Sequence, residues 1–110
     1  MMDEMGDRLR EQVLRKCHVT WDDERTNALI SDIMARADAE LRDRLGIDDP
    51  DFDFTKGREN NLFVNWCYYA FNDAEDAFET NFFSDLMQVR RVWELTHLLR
   101  EVDDAASTEE

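Results

Sequence analysis

The chain has 110 residues, a length that fits one small domain. Aspartate and glutamate number 27 against 13 lysines and arginines, which gives a formal net charge of −14 at pH 7. This charge excludes a general binder of duplex DNA, which needs a basic face to displace counterions, and it argues against an anionic membrane surface as partner. Because hydrophobic residues make up 43% and there are only three glycines and one proline, the composition favours a core of a few long helices.

The sequence shows no signal for export or for insertion into a membrane. No run of about 18 apolar residues is present, and the acidic first segment lacks the basic and apolar regions of a secretory signal. Cys17 and Cys67 are too few for a disulfide framework, so we expect a reducing compartment. We therefore expect no membrane partner.

Apolar residues recur at helical spacing in the first half of the chain. A short first helix, ending near Lys16, is predicted by Met5, Leu9 and Val13. A second helix is predicted from about Trp21, with Thr20 as its cap and acidic residues in its first turn. Gly46 and Ile47 predict its end, because a left-handed glycine and an apolar residue that folds back commonly terminate helices.

The second helix has an apolar face and a charged face. The apolar stripe, at steps of four, comprises Leu29, Ile33, Ala37, Leu41 and Leu45, widened by Ile30 and Met34. The charged face comprises Asp32, Arg36, Asp38, Arg42 and Asp43. Opposite charges lie four residues apart on this face, so we expect it to be a solvated surface.

One clear loop follows, in which Pro50 prevents a helix from continuing. Its carboxylates belong to Asp48, Asp49, Asp51 and Asp53. A third helix, from about residue 58 to residue 71, is apolar on most sides, which is typical of a central helix or of one shared with a neighbouring chain. After a break at Asn72 and Asp73, a fourth helix is predicted from Ala74 to Val102.

These elements predict an all-α fold, a small bundle of about four helices. Two of the helices are long, and the acidic loop lies between the second and the third. We assign residues 1–102 to a single helical domain. Residues 103–110 show no apolar periodicity, so we predict a flexible acidic tail there.

Possible metal ligands do not form a complete motif. Two cysteines and two histidines are present, but Cys17, His18, Cys67 and His97 lack the paired spacing of a zinc site. Glu94 and His97 match one Glu-x-x-His element of a di-iron bundle, and the second element is missing. Neither set predicts a metal centre.

The acidic loop partly resembles a calcium-binding loop. Its alternating aspartates fit the first ligand positions, but Phe54 stands where a glycine is required and Asn60 where a glutamate is required. A looser cation site remains an alternative to a solvated loop. Because no nucleophile–base grouping and no phosphate loop is present either, we expect no catalytic residues, no resident metal, no cofactor and no enzyme activity.

Aromatic side chains are concentrated between Trp66 and Phe83. We expect Trp66, Phe78 and Phe82 to fill the core. A domain of this size leaves much of its surface exposed, so one chain does not easily bury all the remaining large side chains. Four of them are therefore predicted to contact another subunit: Tyr68, Tyr69, Phe83 and Met87.

The order of these elements resembles a known family. Thr20-Trp21-Asp22-Asp23 opens a long helix that ends at Leu45-Gly46-Ile47, an acidic loop follows, and two further segments complete the set: Leu62-Phe63-Val64-Asn65-Trp66-Cys67-Tyr68-Tyr69 and Phe78-Glu79-Thr80-Asn81-Phe82-Phe83-Ser84-Asp85-Leu86-Met87-Gln88-Val89-Arg90. Together they are similar to the head–tail connector, or adaptor, proteins of long-tailed bacteriophages. The resemblance covers about residues 19–91 and is carried by the ordered set rather than by any single motif.

The resemblance implies a structural virion protein made in the host bacterial cytoplasm. Such subunits form a ring of about twelve copies between the portal protein and the stopper or tail-completion protein, at the head–tail junction. The ring extends the DNA channel, and DNA passes through it without specific binding. A strongly negative chain fits such a wall, because it offers no phosphate contacts.

Two further placements follow from the connector interpretation. The loop residues Asp48, Asp49, Asp51 and Asp53 are expected to face the channel. The C-terminal helix is expected to dock on the portal through Trp93, Leu95, Leu98, Leu99 and Val102.

An acidic DNA mimic, which inhibits a basic protein by occupying its surface, is the alternative function. The net charge of −14 fits it. A mimic should spread its carboxylates evenly, whereas here they are concentrated at the N-terminus, in the loop and in the C-terminal segment. The uneven distribution favours assembly.

Overall fold

The computed structural model describes residues 4–55 and 57–108 of the chain. This part contains five helices and no strand. Their bounds are Glu4–Lys16 for α1, Glu24–Leu45 for α2, Gly57–Phe71 for α3, Glu75–Asn81 for α4 and Phe83–Thr108 for α5. The predicted all-α class is confirmed. The prediction of about four helices is matched only in part: the structure has five, because the fourth predicted helix divides into α4 and α5.

The division lies at Phe82, whose backbone leaves the helical region at φ −113° and ψ 13°. The Phe82 ring stacks on Phe78 at 4.7 Å between centroids and meets Tyr69 edge-on at 5.8 Å. The bend lets α4 pack on α3 while α5 packs on both α2 and α3. An uninterrupted apolar stripe in the sequence does not reveal this change of direction.

Helix α3 lies at the centre and contacts all four other helices. This position confirms the expectation drawn from its apolar character, since a helix that is apolar on most sides needs neighbours around it. It buries Leu62, Phe63, Trp66, Cys67 and Ala70. Among the side chains that the structure describes, every buried one is apolar or a cysteine thiol, so the core contains no charged group.

The start of α2 differs from the prediction. Asp23 is the N-cap, and its side chain accepts a hydrogen bond of 2.7 Å from the backbone N–H of Thr26. Thr20 is therefore not the cap, and Trp21 precedes the helix. The buried stripe also begins at Ile30 rather than at Leu29, which is exposed. The predicted end at Gly46 is confirmed: its φ is +71°, and the buried Ile47 donates to the carbonyl of Arg42 at 2.9 Å.

The loop between α2 and α3 is fastened by Arg42, which was expected to be solvated. Its guanidinium donates to the backbone carbonyls of Asp49 at 2.9 Å and Phe52 at 2.6 Å, and it lies 5.5 Å from the ring centre of Phe54. Phe54 is fully buried. The expectation is wrong because the returning loop covers this part of α2, which helical periodicity alone does not show.

The C-terminal boundary of the domain differs from the predicted one, and parts of both ends lie outside the described residues. Helix α5 continues to Thr108, so the backbone of residues 103–108 is helical where the prediction ended the helix at Val102. The side chain of Met5 and residues 109–110 lie outside the described part of the chain. Leu9 and Val13, the other members of the first predicted stripe, are buried.

Candidate interaction surface

The C-terminal half of α5 exposes a continuous apolar surface. We call it the α5 apolar face, and it comprises Val92, Leu95, Leu98, Leu99 and Val102. Each of these side chains is more than half exposed, from 53% for Leu95 to 65% for Leu99. Isolated exposed apolar residues are common in proteins, but a contiguous group on one helix marks a surface for a partner.

Two grooves border the α5 apolar face. An open groove of about 910 Å³ runs between α5 and the end of α2, with Gly46 and Asp48 on one wall and Leu95 and Leu98 on the other. A second groove of about 440 Å³ includes Phe83, Val92 and again Leu95. Leu95 and Arg91 belong to both linings, so they form the ridge between the two grooves.

Four of the five residues predicted to dock on a portal lie together on this face, and Trp93 does not. Trp93 is half-buried against the loop: its ring meets Phe52 edge-on at 5.1 Å, and its Nε1–H donates to Glu59 at 3.1 Å. In a helix, residue 93 points away from residue 95 because successive positions differ by about 100°. Trp93 continues the core stripe of Leu86 and Val89.

The four side chains predicted to contact another subunit do not form one surface. Tyr69 is half-buried, meets Phe78 and Phe82 edge-on, and its hydroxyl accepts a hydrogen bond of 3.1 Å from Asn81. Tyr68 lies beside α1, where the Lys16 ammonium is 5.3 Å from its ring centre. Both tyrosines therefore have partners inside the chain. These partners lie on other helices, so the sequence around the tyrosines does not reveal them.

Phe83 and Met87, the other two, line the second groove together. Phe83 is exposed, and Met87 is half-buried against the core. They lie on α5, at the opposite end from Leu99 and Val102. The structure therefore joins this half of the predicted subunit interface to the predicted portal-docking residues, along one helix.

The carboxylates of the acidic loop do not point outward as one group. Asp49 accepts from the backbone N–H of Asp51 at 3.0 Å, and Asp53 accepts from the N–H of Thr55 at 3.0 Å. These are short-range turns that fix the loop backbone. Asp51 is exposed. The placement of the loop in a channel stays a prediction.

Asp48 links the loop to α5. Its carboxylate lies 3.1 Å from Nδ1 of His97 and 3.6 Å from Arg100. The other imidazole nitrogen, Nε2, lies 3.4 Å from Glu101. Spacing along the helix identifies the contact of His97 with Glu101, but only the fold brings Asp48 to this point. All four side chains are about half exposed, so each pair stabilises the fold by at most about 1 kcal/mol.

The two cysteines lie in the core. Burial raises the pKa of the Cys17 thiol to about 11, and the nearby Lys16 opposes this rise in part. Burial, and then the neighbouring Cys17, raise the pKa of Cys67 as well. Both groups are therefore protonated thiols at neutral pH, a state that neither attacks electrophiles nor binds metals well.

No group of three or more histidine, cysteine, aspartate or glutamate side chains in the described part of the chain has an arrangement suited to a metal ion. The described helices also include none with the length and apolar character needed to cross a membrane. Comparison with protein-family models, with curated protein sequences and with solved structures found no match to this chain.

Proposed function

We propose that this chain is an assembly protein, the subunit of a connector ring that joins a bacteriophage portal to its tail. The observation that carries the proposal is the α5 apolar face, whose five side chains are each more than half exposed. A surface of this kind needs a protein partner, since water is a poor environment for it. The resemblance in the order of elements supplies the identity of the partner.

The electrostatics of the chain support the same proposal. The net charge of −14 keeps the subunit from binding the phosphates of passing DNA. Locally, arginines are occupied by acidic neighbours: Arg36 contacts Asp32 and Glu75, and Arg44 contacts Glu79. A channel wall needs an acidic surface, and ion pairs of this kind reduce the number of cations that can bind DNA phosphates.

In the proposed ring, two regions of the chain have different roles. The exposed residues Leu95, Leu98, Leu99 and Val102 dock on the portal, and Asp51 faces the lumen. Trp93 has a positioning role, because its packing on Phe52 fixes the direction in which α5 leaves the bundle. Phe83 and Met87 lie on the side of the subunit, where a neighbouring copy makes contact.

The proposal is tested by imaging. The chain is co-expressed with the portal protein encoded in the same genome, and the purified particles are examined by negative-stain electron microscopy. We expect an added ring at the narrow end of the portal. Bare portals, in the presence of folded chain, contradict the proposal and direct attention to the alternative, an acidic mimic that competes with DNA for a basic protein.

A point variant tests the docking surface more cleanly than a truncation after Arg91, which also removes the half-buried Trp93. Leu98→Asp places a charge on a side chain that is 55% exposed, so the fold is retained while docking is lost. Leu29→Asp is the control, because it is 46% exposed on α2 and lies outside the α5 apolar face. Portal binding by Leu98→Asp at the level of the unmodified chain rejects this docking surface.

The position of Asp51 has its own test. A photoreactive cross-linker attached at Asp51→Cys is expected to react inside the ring and not with proteins on its outer rim. Capture of an outer-rim protein by this site rejects a lumen-facing loop and leaves the rest of the connector proposal unaffected.

A further inference from the structure

The α5 apolar face has the spacing of a helix that pairs with another helix. Val92, Leu95, Leu99 and Val102 follow one another at steps of three, four and three, which is the a/d repeat of a coiled coil, and Leu98 broadens the stripe. None of the described residues covers these side chains. The stripe therefore has the form of one half of a helix–helix contact that no described residue completes.

The exposure of this part of α5 is a second argument for a partner. From residue 94 to residue 102 every side chain is exposed, and Asp48 contacts this stretch at His97 and Arg100. Most helical stability in proteins comes from packing rather than from local propensity. A helix that projects beyond its bundle with an apolar stripe is stabilised when a second helix covers that stripe.

Charge distribution selects a second copy in antiparallel orientation. Arg91 lies near the start of the stripe and Glu101 near its end, on the same flank. The described residues give Arg91 no ion pair, and it lines both grooves. When two α5 helices pair antiparallel about residue 97, Arg91 of each copy approaches Glu101 of the other. A parallel pair instead sets Arg91 level with Arg91 and Glu101 level with Glu101, and no opposite charges meet.

We propose that two copies of the free chain cover each other's α5 apolar face, in an antiparallel, two-fold symmetric contact to which both copies contribute the same residues. The stripe extends over about 15 Å of helix, so the interface belongs to the small, weak class, with a Kd of about 10–100 µM. The inference goes beyond the connector role and does not rest on it. It adds one consequence: the pair must separate before the same face docks elsewhere.

Sedimentation equilibrium of the full chain, from about 5 to about 500 µM, measures the pairing. We expect the mass to rise with concentration from 13.1 kDa toward twice that value. Leu99→Asp, at the most exposed position of the stripe, raises the Kd at least about 100-fold, because the charge enters the contact twice. Leu29→Asp is the control: it lies on α2 at 46% exposure, outside the stripe and both grooves, and leaves the Kd within about twofold.

Cross-linking tests the orientation. Val92→Cys and Val102→Cys variants, carrying tags of different size, are mixed and oxidised mildly, while the native Cys17 and Cys67 stay buried. We expect a disulfide between the two variants and little between copies of either one. Arg91→Glu weakens the pairing, and the double variant Arg91→Glu/Glu101→Arg restores it.

Three outcomes overturn the inference. The first is a chain that stays monomeric at the highest concentration, which leaves the face to another protein. The second is pairing that Leu99→Asp does not weaken, because the contact then lies elsewhere. The third is a disulfide between two Val92→Cys copies, which indicates a parallel pair. None of them bears on whether a ring forms on portals, so failure of this inference and failure of the connector proposal are distinguishable.

Discussion

The bundle and the C-terminal half of α5 are built from similar residues with opposite results. In α2, Leu41 and Leu45 follow a helical stripe and are fully buried against neighbouring helices. In α5, Leu95 and Leu99 also follow a helical stripe, yet both are more than half exposed. The difference lies in what surrounds each helix, since α2 has α3 and α5 beside it, whereas no helix that the structure describes covers the end of α5. Amphipathicity thus identifies a surface that needs covering, but not the chain that covers it.

The loop between α2 and α3 is the link between these two regions. On the bundle side Arg42 binds its backbone carbonyls, and on the α5 side Phe52 packs on Trp93 while Asp48 pairs with His97. The loop therefore connects the bundle to residues 93–97 of α5. Variants of the bundle, of the loop and of α5 should affect stability in that order.

The largest effect is expected for a leucine in the bundle. Leu41→Ala removes a side chain that is 1% exposed, so we expect the free energy of unfolding to fall by about 2–5 kcal/mol through lost burial and a cavity. Leu99→Ala, at 65% exposure, should change it by less than about 0.5 kcal/mol. Urea denaturation at low protein concentration measures both. Equal losses for the two leucines would break the contrast between the regions.

A smaller effect is expected at the loop. Arg42→Met keeps much of the side-chain length but removes two hydrogen bonds to backbone carbonyls, which costs about 2–3 kcal/mol. Arg15→Met is the control, because its exposed pair with Glu11 spans 3.9 Å and contributes almost nothing. Denaturant midpoints of the two variants measure the difference in stability. An Arg42 variant as stable as the control shows that the loop is held by its phenylalanines alone.

The turn into the loop should show an effect of about 1–2 kcal/mol. Gly46→Ala places a Cβ on a residue with φ +71°, which disfavours L-residues although no atom lies within 4 Å of that Cβ. Thermal unfolding followed by circular dichroism measures the loss. Gly46→Asn should lose less, because asparagine tolerates the left-handed conformation better. An alanine variant with unchanged stability contradicts the assigned turn.

The smallest global effect is expected for the link to α5. Asp48→Asn weakens the exposed contacts with His97 and Arg100, at a cost below about 1 kcal/mol. Locally, amide hydrogen exchange should accelerate for residues 97–102 and stay unchanged in α3. Asp51→Asn, in the same loop, serves as the control. Uniform acceleration through the bundle would show that the two regions unfold together.

Much of the fold follows from local sequence. The break at Asn72 and Asp73 and the end of α2 at Gly46 were predicted from residue types, because each depends on neighbours within one or two helical turns. The apolar character of α3 indicated either a central helix or one shared with a neighbouring chain, and the structure places α3 at the centre. The position of the α2 cap was wrong by three residues, since Thr20 and Asp23 are both suitable cap residues and the helix uses Asp23. The bend at Phe82 was missed because its ring fits a continuous stripe equally well.

The candidate site was predictable in part. The apolar residues of the last helix were recognised from their spacing, and the structure exposes Leu95, Leu98, Leu99 and Val102 together. Trp93 was assigned to the same surface, but it also fits the core stripe, and only the arrival of Phe52 decides between them. Tyr68 and Tyr69 were assigned to an interface on composition, whereas α1 and α4 supply their partners within the chain.

The sequence by itself determined which segments are helices, where the acidic loop lies, and that the last helix carries more apolar surface than its own chain covers. These properties depend on periodicity and on residue types that act over a few positions. The tertiary structure alone decided that Arg42 fastens the loop, that Asp48 reaches His97, and that Trp93 packs inward while Leu95 stays exposed. These contacts join residues from separate elements, and only packing of the whole chain brings such residues together.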